Sequence, residues 1–429
     1  MSPGRVAAAV TPSVAAGEAD VDAADGVVLD PFEAELDGVD AALDGVLARA
    51  AGVEAPEFGI VTPATTPAPI ASASADVTMI RVCIPTPSVM PSISRPDEGR
   101  GSCQTYGMSH EPASEIDVQQ AWSDPKLANI LYHDWEASTY DEKWSISFDD
   151  RCISYARDRF EHVAGTSGWP YGDALELGAG TGFFLLNLIQ AGVIARGCVT
   201  DLSPGMVEAA LRNANNLGFD IGGRVADAES LPFDDESFDL VVGHAVLHHI
   251  PDVELAMREV IRVLRPGGRF VFAGEPTIHG DVIARKLSQA TWWTATRVTQ
   301  WSPLRQTWAR TPTQLDESSR AAALESVVDL HTFDPDRLAA TTLRAGAVDV
   351  HTVTEELTAA WFGWPVRTFE AAVKPGALGM GWAMFAYKGW LALSRVDEKV
   401  FSRVVPDEFF YNVSITGTKA NVSSSGDFG

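Results

Sequence analysis

Three glycines at alternate positions, Gly178, Gly180 and Gly182, lie between an apolar run at 174–177 and a second at 183–189. No other feature constrains the chain as much. The first run reads as the end of a buried strand. The second, with Phe183, Phe184, Leu185, Leu186, Leu188 and Ile189, reads as a packed helix. A glycine-rich turn between them lets the backbone bend sharply and lets a flat ligand approach, because no Cβ intervenes. A turn without a ligand is the bland alternative. Spacing narrows the ligand. The third glycine falls one residue early for the dinucleotide pattern G-x-G-x-x-G, so no pyrophosphate cradle is implied and a nucleoside is expected.

Further strand ends follow at intervals. Residues 198–201 read as a second strand closing on Asp201, about 20 residues after the glycines, where a carboxylate can accept hydrogen bonds from both ribose hydroxyls. Its alternative role is to cap the helix opening near Pro204, which Ser203 can do instead. A third strand end at 223–227 carries Asp227, able to accept from an exocyclic amine. A fourth spans 238–242, and a fifth spans 269–273 after the turn at 265–268. Sixth and last strands are expected at 348–353 and 410–416.

The chain resembles the class I S-adenosylmethionine-dependent methyltransferases, in particular the small-molecule branch with the ubiquinone and menaquinone C-methyltransferases. The resemblance rests on ELGAGTG at 176–182, TDLS at 200–203, ADAESLPF at 226–233, SFDLVVGHAVLHHI at 237–250 and EVIRVLRPGG at 259–268. It implies a Rossmann-like α/β fold: a seven-stranded, mostly parallel sheet with the last strand reversed, helices on both faces and an α-helical cap. It implies S-adenosyl-L-methionine as cofactor. Glu176 and the backbone of Gly178, Ala179, Gly180 and Gly182 would hold the methionine moiety, and Asp201 the ribose. Asp227 and Ala228 would hold the adenine, Leu202 would pack on the adenine face, and His244 would open toward the methyl group. An N-terminal Tyr-Asp pair, here Tyr140 and Asp141, lies over the cofactor in that family; packing on the sheet is the plain alternative.

Methyl transfer is a direct displacement, so alignment can supply most of the catalysis. Where an acceptor proton must leave, His244, His248 and His249 are the candidate bases, with capping or packing as their ordinary roles. No metal is implied, because the histidines are adjacent rather than spaced i, i+4. Two rivals remain, a cofactor-binding scaffold without activity and a nucleotide-dependent oxidoreductase on a similar sheet.

The 429 residues carry a formal charge of −26 with no basic cluster, which argues against a nucleic-acid substrate. Four cysteines without C-x-x-C spacing read as reduced thiols of a cytoplasmic enzyme. Residues 1–107 are poor in aromatics and read as a mostly disordered leader with one loose helix at 32–51 and Met108 as a plausible start. A helical segment (108–165) and the cofactor-binding core (166–276) follow. A helical insertion (277–335) precedes the end of the sheet (336–429), which holds a second insertion at 354–406. Both insertions are rich in tryptophan and can wall an apolar acceptor pocket, with Glu275 and Pro276 at its floor, or form a second core. The expected acceptor is a hydrophobic or lipid-like small molecule. Residues 376–394 fall short of a membrane span and read as a buried or membrane-grazing cap helix. The oligomeric state is not legible.

Overall fold

The computed structural model describes residues 124–421 apart from 139, 142–145 and 316–327. The expectations for the leader, its helix and Trp144 lie outside the described residues.

Two helices precede the sheet, α1 (Pro125–Glu136) and α2 (Asp150–Ala164). The strands are β1 (Tyr171–Leu177), β2 (Ile194–Asp201), β3 (Gly222–Val225), β4 (Phe238–His244), β5 (Leu264–Pro276), β6 (Ala347–Glu355) and β7 (Asn412–Lys419), in the order β3-β2-β1-β4-β5-β7-β6. The first five run parallel, and β7 lies antiparallel between β5 and β6. The fold is the Rossmann-like one expected.

Helices cover both faces. Connecting the parallel strands are α3 (Phe183–Gln190), α4 (Pro204–Leu217) and α5 (Val253–Val263). Successive residues of β4 serve opposite cores. Val241 joins Leu175, Phe270 and Met257 on one face, while Leu240 and Val242 join Phe160, Phe184 and Leu188 on the other. Burial on both sides explains why these strands read as continuous apolar runs rather than as alternation.

The turn expected at 265–268 is instead part of β5, which begins at Leu264 directly after α5. The pairing with β4 slips between Phe238 and Leu240, and Gly267 takes a φ of 76°. Arg265 fastens the irregularity by pairing with Asp239 at 2.7 Å and Asp173 at 3.2 Å. A bulge inside a strand carries the same glycines as a turn, so local sequence cannot separate the two.

The long connections contain helices. α6 (Ile278–Val298) and α7 (Ser302–Trp308) lie in the first, and α8 (Pro335–Arg344) leads into β6. α9 (Thr358–Ala372) and α10 (Met380–Lys399) fill the second. A Cβ on Gly389 would stand 2.8 Å from the Phe362 ring, so α9 and α10 touch closely at that point. No described helix is long and apolar enough to cross a membrane. The expected cap helix at 376–394 corresponds to α10, which exposes Met380, Met384 and Phe385.

Candidate active site

The strand order reverses between β1 and β4, the place where an open α/β sheet offers a crevice at its carboxyl ends. A cavity of about 1200 Å³ opens there, more than the roughly 300–1,000 Å³ of an ordinary ligand site. Its lining includes Glu176, Gly178, Ala179, Gly180, Asp201, Leu202, Asp227, Ala228, His244, His248 and His249. Gly182 is not among the lining residues. At φ 84° it starts α3, and a Cβ there would meet Leu186 at 3.0 Å and Ala210 at 3.2 Å, so its smallness serves packing.

Gly178 answers a different need. A Cβ on it would lie 2.1 Å from Val246, so only glycine lets the loop pass the end of β4. Gly180 faces Tyr140, 3.7 Å from the position a Cβ would take. Asp201 ends β2 and is nearly buried. Its Oδ2 accepts from the Gly180 N–H and its Oδ1 from the Ser203 N–H, both at 2.9 Å. The helix-capping alternative fails, because Ser203 Oγ accepts from the Met206 N–H at 3.1 Å and caps α4. Thr181 Oγ1, buried on the cavity wall, has no hydrogen-bond partner among the described residues. Backbone open to a flat ligand, a poised carboxylate and an unpartnered hydroxyl fit a nucleoside with a polar tail.

Burial pushes the Glu176 carboxyl up to about 8 and Asp201 up to about 6, and mutual repulsion adds to the Glu176 shift. A cationic sulfonium bound beside them would favour their charged forms. Binding would then release protons, and affinity would rise with pH until both groups were ionised. Titration of the protein with S-adenosylmethionine near pH 7 is expected to release up to about one proton. Calorimetry in buffers of different ionisation enthalpy reads it; identical apparent enthalpies would show that the carboxylates do not respond.

Segments from far away cover this edge of the sheet. Lys126 of α1 bridges Asp227 at 2.6 Å and Glu229 at 2.5 Å. Asp134 accepts from the Gly205 N–H at 2.9 Å and from Ser203 Oγ. Neither residue was legible as a site residue, since both act across some 70 to 100 positions of chain.

The three histidines differ. His244 Nε2 lies 3.1 Å from Tyr155 Oη, and burial pushes its pKa down to about 4, so the ring is neutral. His249 is held well below the usual range by burial and by His248 and His133; its Nδ1 bonds the Val328 carbonyl at 2.9 Å. His248 Nδ1 lies 2.8 Å from Oε2 of Glu275. Burial opposes its charge, but that carboxylate outweighs burial and raises its pKa. Glu275 was expected at the pocket floor. Only Pro276 lines the cavity; Glu275 is wholly buried behind it and also accepts from the Val246, Leu247 and His248 N–H groups. Asp329 brings a carboxylate 3.8 Å from His248 and 3.6 Å from His249. Adjacency in sequence therefore does not keep the two rings from sharing a third donor. The His249 Nδ1 facing it is already bonded to Val328, and the cluster carries no metal assignment.

Behind Tyr155 sits a buried ionic group. Arg159 of α2 pairs with Glu355 and Glu356 at the end of β6, and its guanidinium lies 5.0 Å from the Tyr155 ring centroid. Glu355 has a second partner, His162 Nδ1, at 2.7 Å, and that carboxylate raises the imidazole's pKa. Burial alone would raise Glu355, yet Arg159 and His162 hold it down to about 2, while burial raises Glu356. The signal for Arg159 was a charge on the apolar face of α2, beside Ala156, Phe160 and Val163.

Comparison with known proteins agrees with the motifs. Residues 175–272 match the model of the methyltransferase domain. A malonyl-[acyl-carrier protein] O-methyltransferase of Hahella chejuensis is 41% identical over 99 residues, covering 23% of this chain and 35% of that protein. Its namesake in Methylococcus capsulatus is 34% identical over 154 residues, 33% of this chain and 56% of that one. A demethylmenaquinone methyltransferase of Beutenbergia cavernae is 40% identical over 99 residues, 23% and 39% of the two chains. The core of the chain is a methyltransferase domain of the class I type. The match spans between about a third and somewhat over half of the length of these relatives.

Proposed function

We propose that the protein transfers a methyl group from S-adenosylmethionine to a hydrophobic small molecule, on carbon or oxygen. One observation carries the reading. A single cavity joins the glycine loop, Asp201 and Leu202 to an aromatic wall made by the insertions, Phe362, Trp364 and Trp390. It therefore has room for a cofactor and an acceptor side by side. The cofactor, when bound, supplies an electrophilic methyl carbon on sulfur.

The chain's own residues do the rest. Asp201 accepts from ribose hydroxyls, and Asp227 with Ala228 and Leu202 frames the base. Tyr140 closes over Gly180. The aromatic wall excludes water and aligns the acceptor, the main source of rate in a displacement. His248 takes the acceptor proton where one must leave. Glu275 fixes its Nδ1, which leaves Nε2 to act, whereas His244 is too weak a base and is bonded to Tyr155. The O-methyltransferase names among the relatives favour oxygen, and the name of a further relative, a ubiquinone/menaquinone biosynthesis C-methyltransferase of Bartonella tribocorum, favours carbon. Contact of the exposed apolar end of α10 with a membrane surface belongs to the same proposal, as the route for a lipid-like acceptor.

Two variants separate the roles. Asp201→Ala is expected to weaken S-adenosylhomocysteine binding by about 1.5–3 kcal/mol through lost charged hydrogen bonds. His248→Ala is expected to leave that affinity unchanged and to lower turnover of labelled cofactor with quinone or phenol acceptors by about 10²-fold or more. Unchanged affinity in a folded Asp201→Ala protein rejects the ribose role; unchanged turnover in His248→Ala leaves alignment alone.

A further inference from the structure

The far end of the same cavity holds a cation, Arg395, with no ion-pair partner among the described residues. Arg395 on α10 lines the cavity, and its Nη1 is buried with no hydrogen-bond partner. Among the described residues no carboxylate forms an ion pair with Arg395: Glu398, three residues further along α10, acts on His162, and others on that wall have partners of their own. Asp397 accepts from the Leu357, Thr358 and Ala359 N–H groups and from Thr358 Oγ1, and so caps the start of α9. Glu355 and Glu356 pair with Arg159, and Glu370 accepts from Trp382 Nε1 at 2.7 Å. A second cation lies on the same side. Arg151 of α2 lines the cavity and sits 5.7 Å from the ring centroid of Tyr387, which shares a face of α10 with Arg395 two turns earlier. A buried donor of this strength is costly unless an acceptor reaches it, and a guanidinium matches the two oxygens of a carboxylate or phosphate.

Between this cation and the glycine loop stand aromatic rings. Trp390 lies 6.0 Å from Tyr155, whose hydroxyl reaches His244. We propose that Arg395 is an anion-binding residue and that the ligand at this end of the cavity is amphipathic. Its apolar body lies on Trp390, Leu391 and Phe362, and its carboxylate or phosphate head lies on Arg395. The assignment of that ligand as the methyl acceptor rests on the function proposed above. It makes the acceptor an acid or a phosphate ester with a hydrophobic chain or ring rather than a wholly neutral molecule, its anion anchored away from the methyl group.

The test uses the full chain and three probes of equal chain length, decanoate, decyl phosphate and decanol, titrated calorimetrically with and without S-adenosylhomocysteine. At least one anionic probe is expected to bind about 10-fold or more tighter than decanol. Which of the two anions binds tighter tells a carboxylate head from a phosphate. Arg395→Met should bring all three probes to similar affinity. Arg395→Lys, which keeps the charge but loses the planar fork, should keep a reduced preference; it serves as the variant where the methionine protein does not fold. Equal affinity for the three probes, or a preference that survives unreduced in the variants, overturns the assignment. Failure of S-adenosylhomocysteine to bind while the anion preference holds would instead sink the methyl-transfer reading and leave Arg395 an anion site.

Discussion

Glu275→Ala is expected to destabilise the fold by about 3–5 kcal/mol, the range seen when one partner of a buried charged pair is removed. Glu275 is wholly buried and holds three consecutive N–H groups, those of Val246, Leu247 and His248, together with the His248 ring. Alanine would leave all three amides and an imidazole without an acceptor in the interior. The dependence on pH follows from two shifts of opposite sense. His248 is raised above its ordinary 6.5, so its contribution is complete below that value and is lost as pH rises through the raised pKa. Burial raises the Glu275 carboxyl, but the His248 bond and the backbone donors lower it further, below its ordinary 4.5. Its contribution is complete above that value and is lost as pH falls through the lowered pKa. The gap in stability between wild type and Glu275→Ala, measured by urea unfolding, should therefore be widest between about pH 4.5 and 6.5 and narrow on the alkaline side. A gap that does not vary with pH would mean that His248 and Glu275 are not coupled.

Arg159→Met should be similarly damaging, about 3–5 kcal/mol, because it leaves Glu355 and Glu356 buried around an apolar side chain. The cost arises from the stranded carboxylates rather than from a lost attraction. The triple variant Arg159→Met, Glu355→Gln, Glu356→Gln should therefore recover most of the stability in the same unfolding assay, as neutral replacement of whole buried ionic groups often does. A triple variant no more stable than Arg159→Met would show that the arginine acts by packing on Tyr155 instead. Since that ring touches His244 and Trp390, the variant is also expected to loosen the acceptor wall.

The parts of this molecule that were legible in sequence are those whose cause is local. The glycine-rich loop follows a buried strand and opens a helix, so three neighbouring signals agree at 174–189. That Asp201 and Asp227 lie on the cavity edge was legible because strand ends in an alternating α/β chain fall on one edge. Illegible residues owe their positions to long crossings of the chain. Lys126 meets Asp227, Arg159 meets Glu355, and Asp329 meets His248, each through folding rather than spacing. Glu275 could be placed near the pocket but not behind it, since a strand pattern does not tell which of two neighbours, Glu275 or Pro276, turns inward. The tryptophan-rich insertions were read as either pocket wall or core. The structure exposes Trp293, Trp301 and Trp361 and lines the cavity with Trp364 and Trp390. Aromatic content alone does not carry that distinction.

Calorimetric titration of the full chain with S-adenosylhomocysteine, with NADH as control, tests the central claim most directly. The account predicts micromolar binding of the nucleoside thioether, lost or much weakened in Asp201→Ala, and no heat from NADH. Binding of NADH, or no binding of either compound by folded protein, would contradict it and leave the glycine loop as a structural turn.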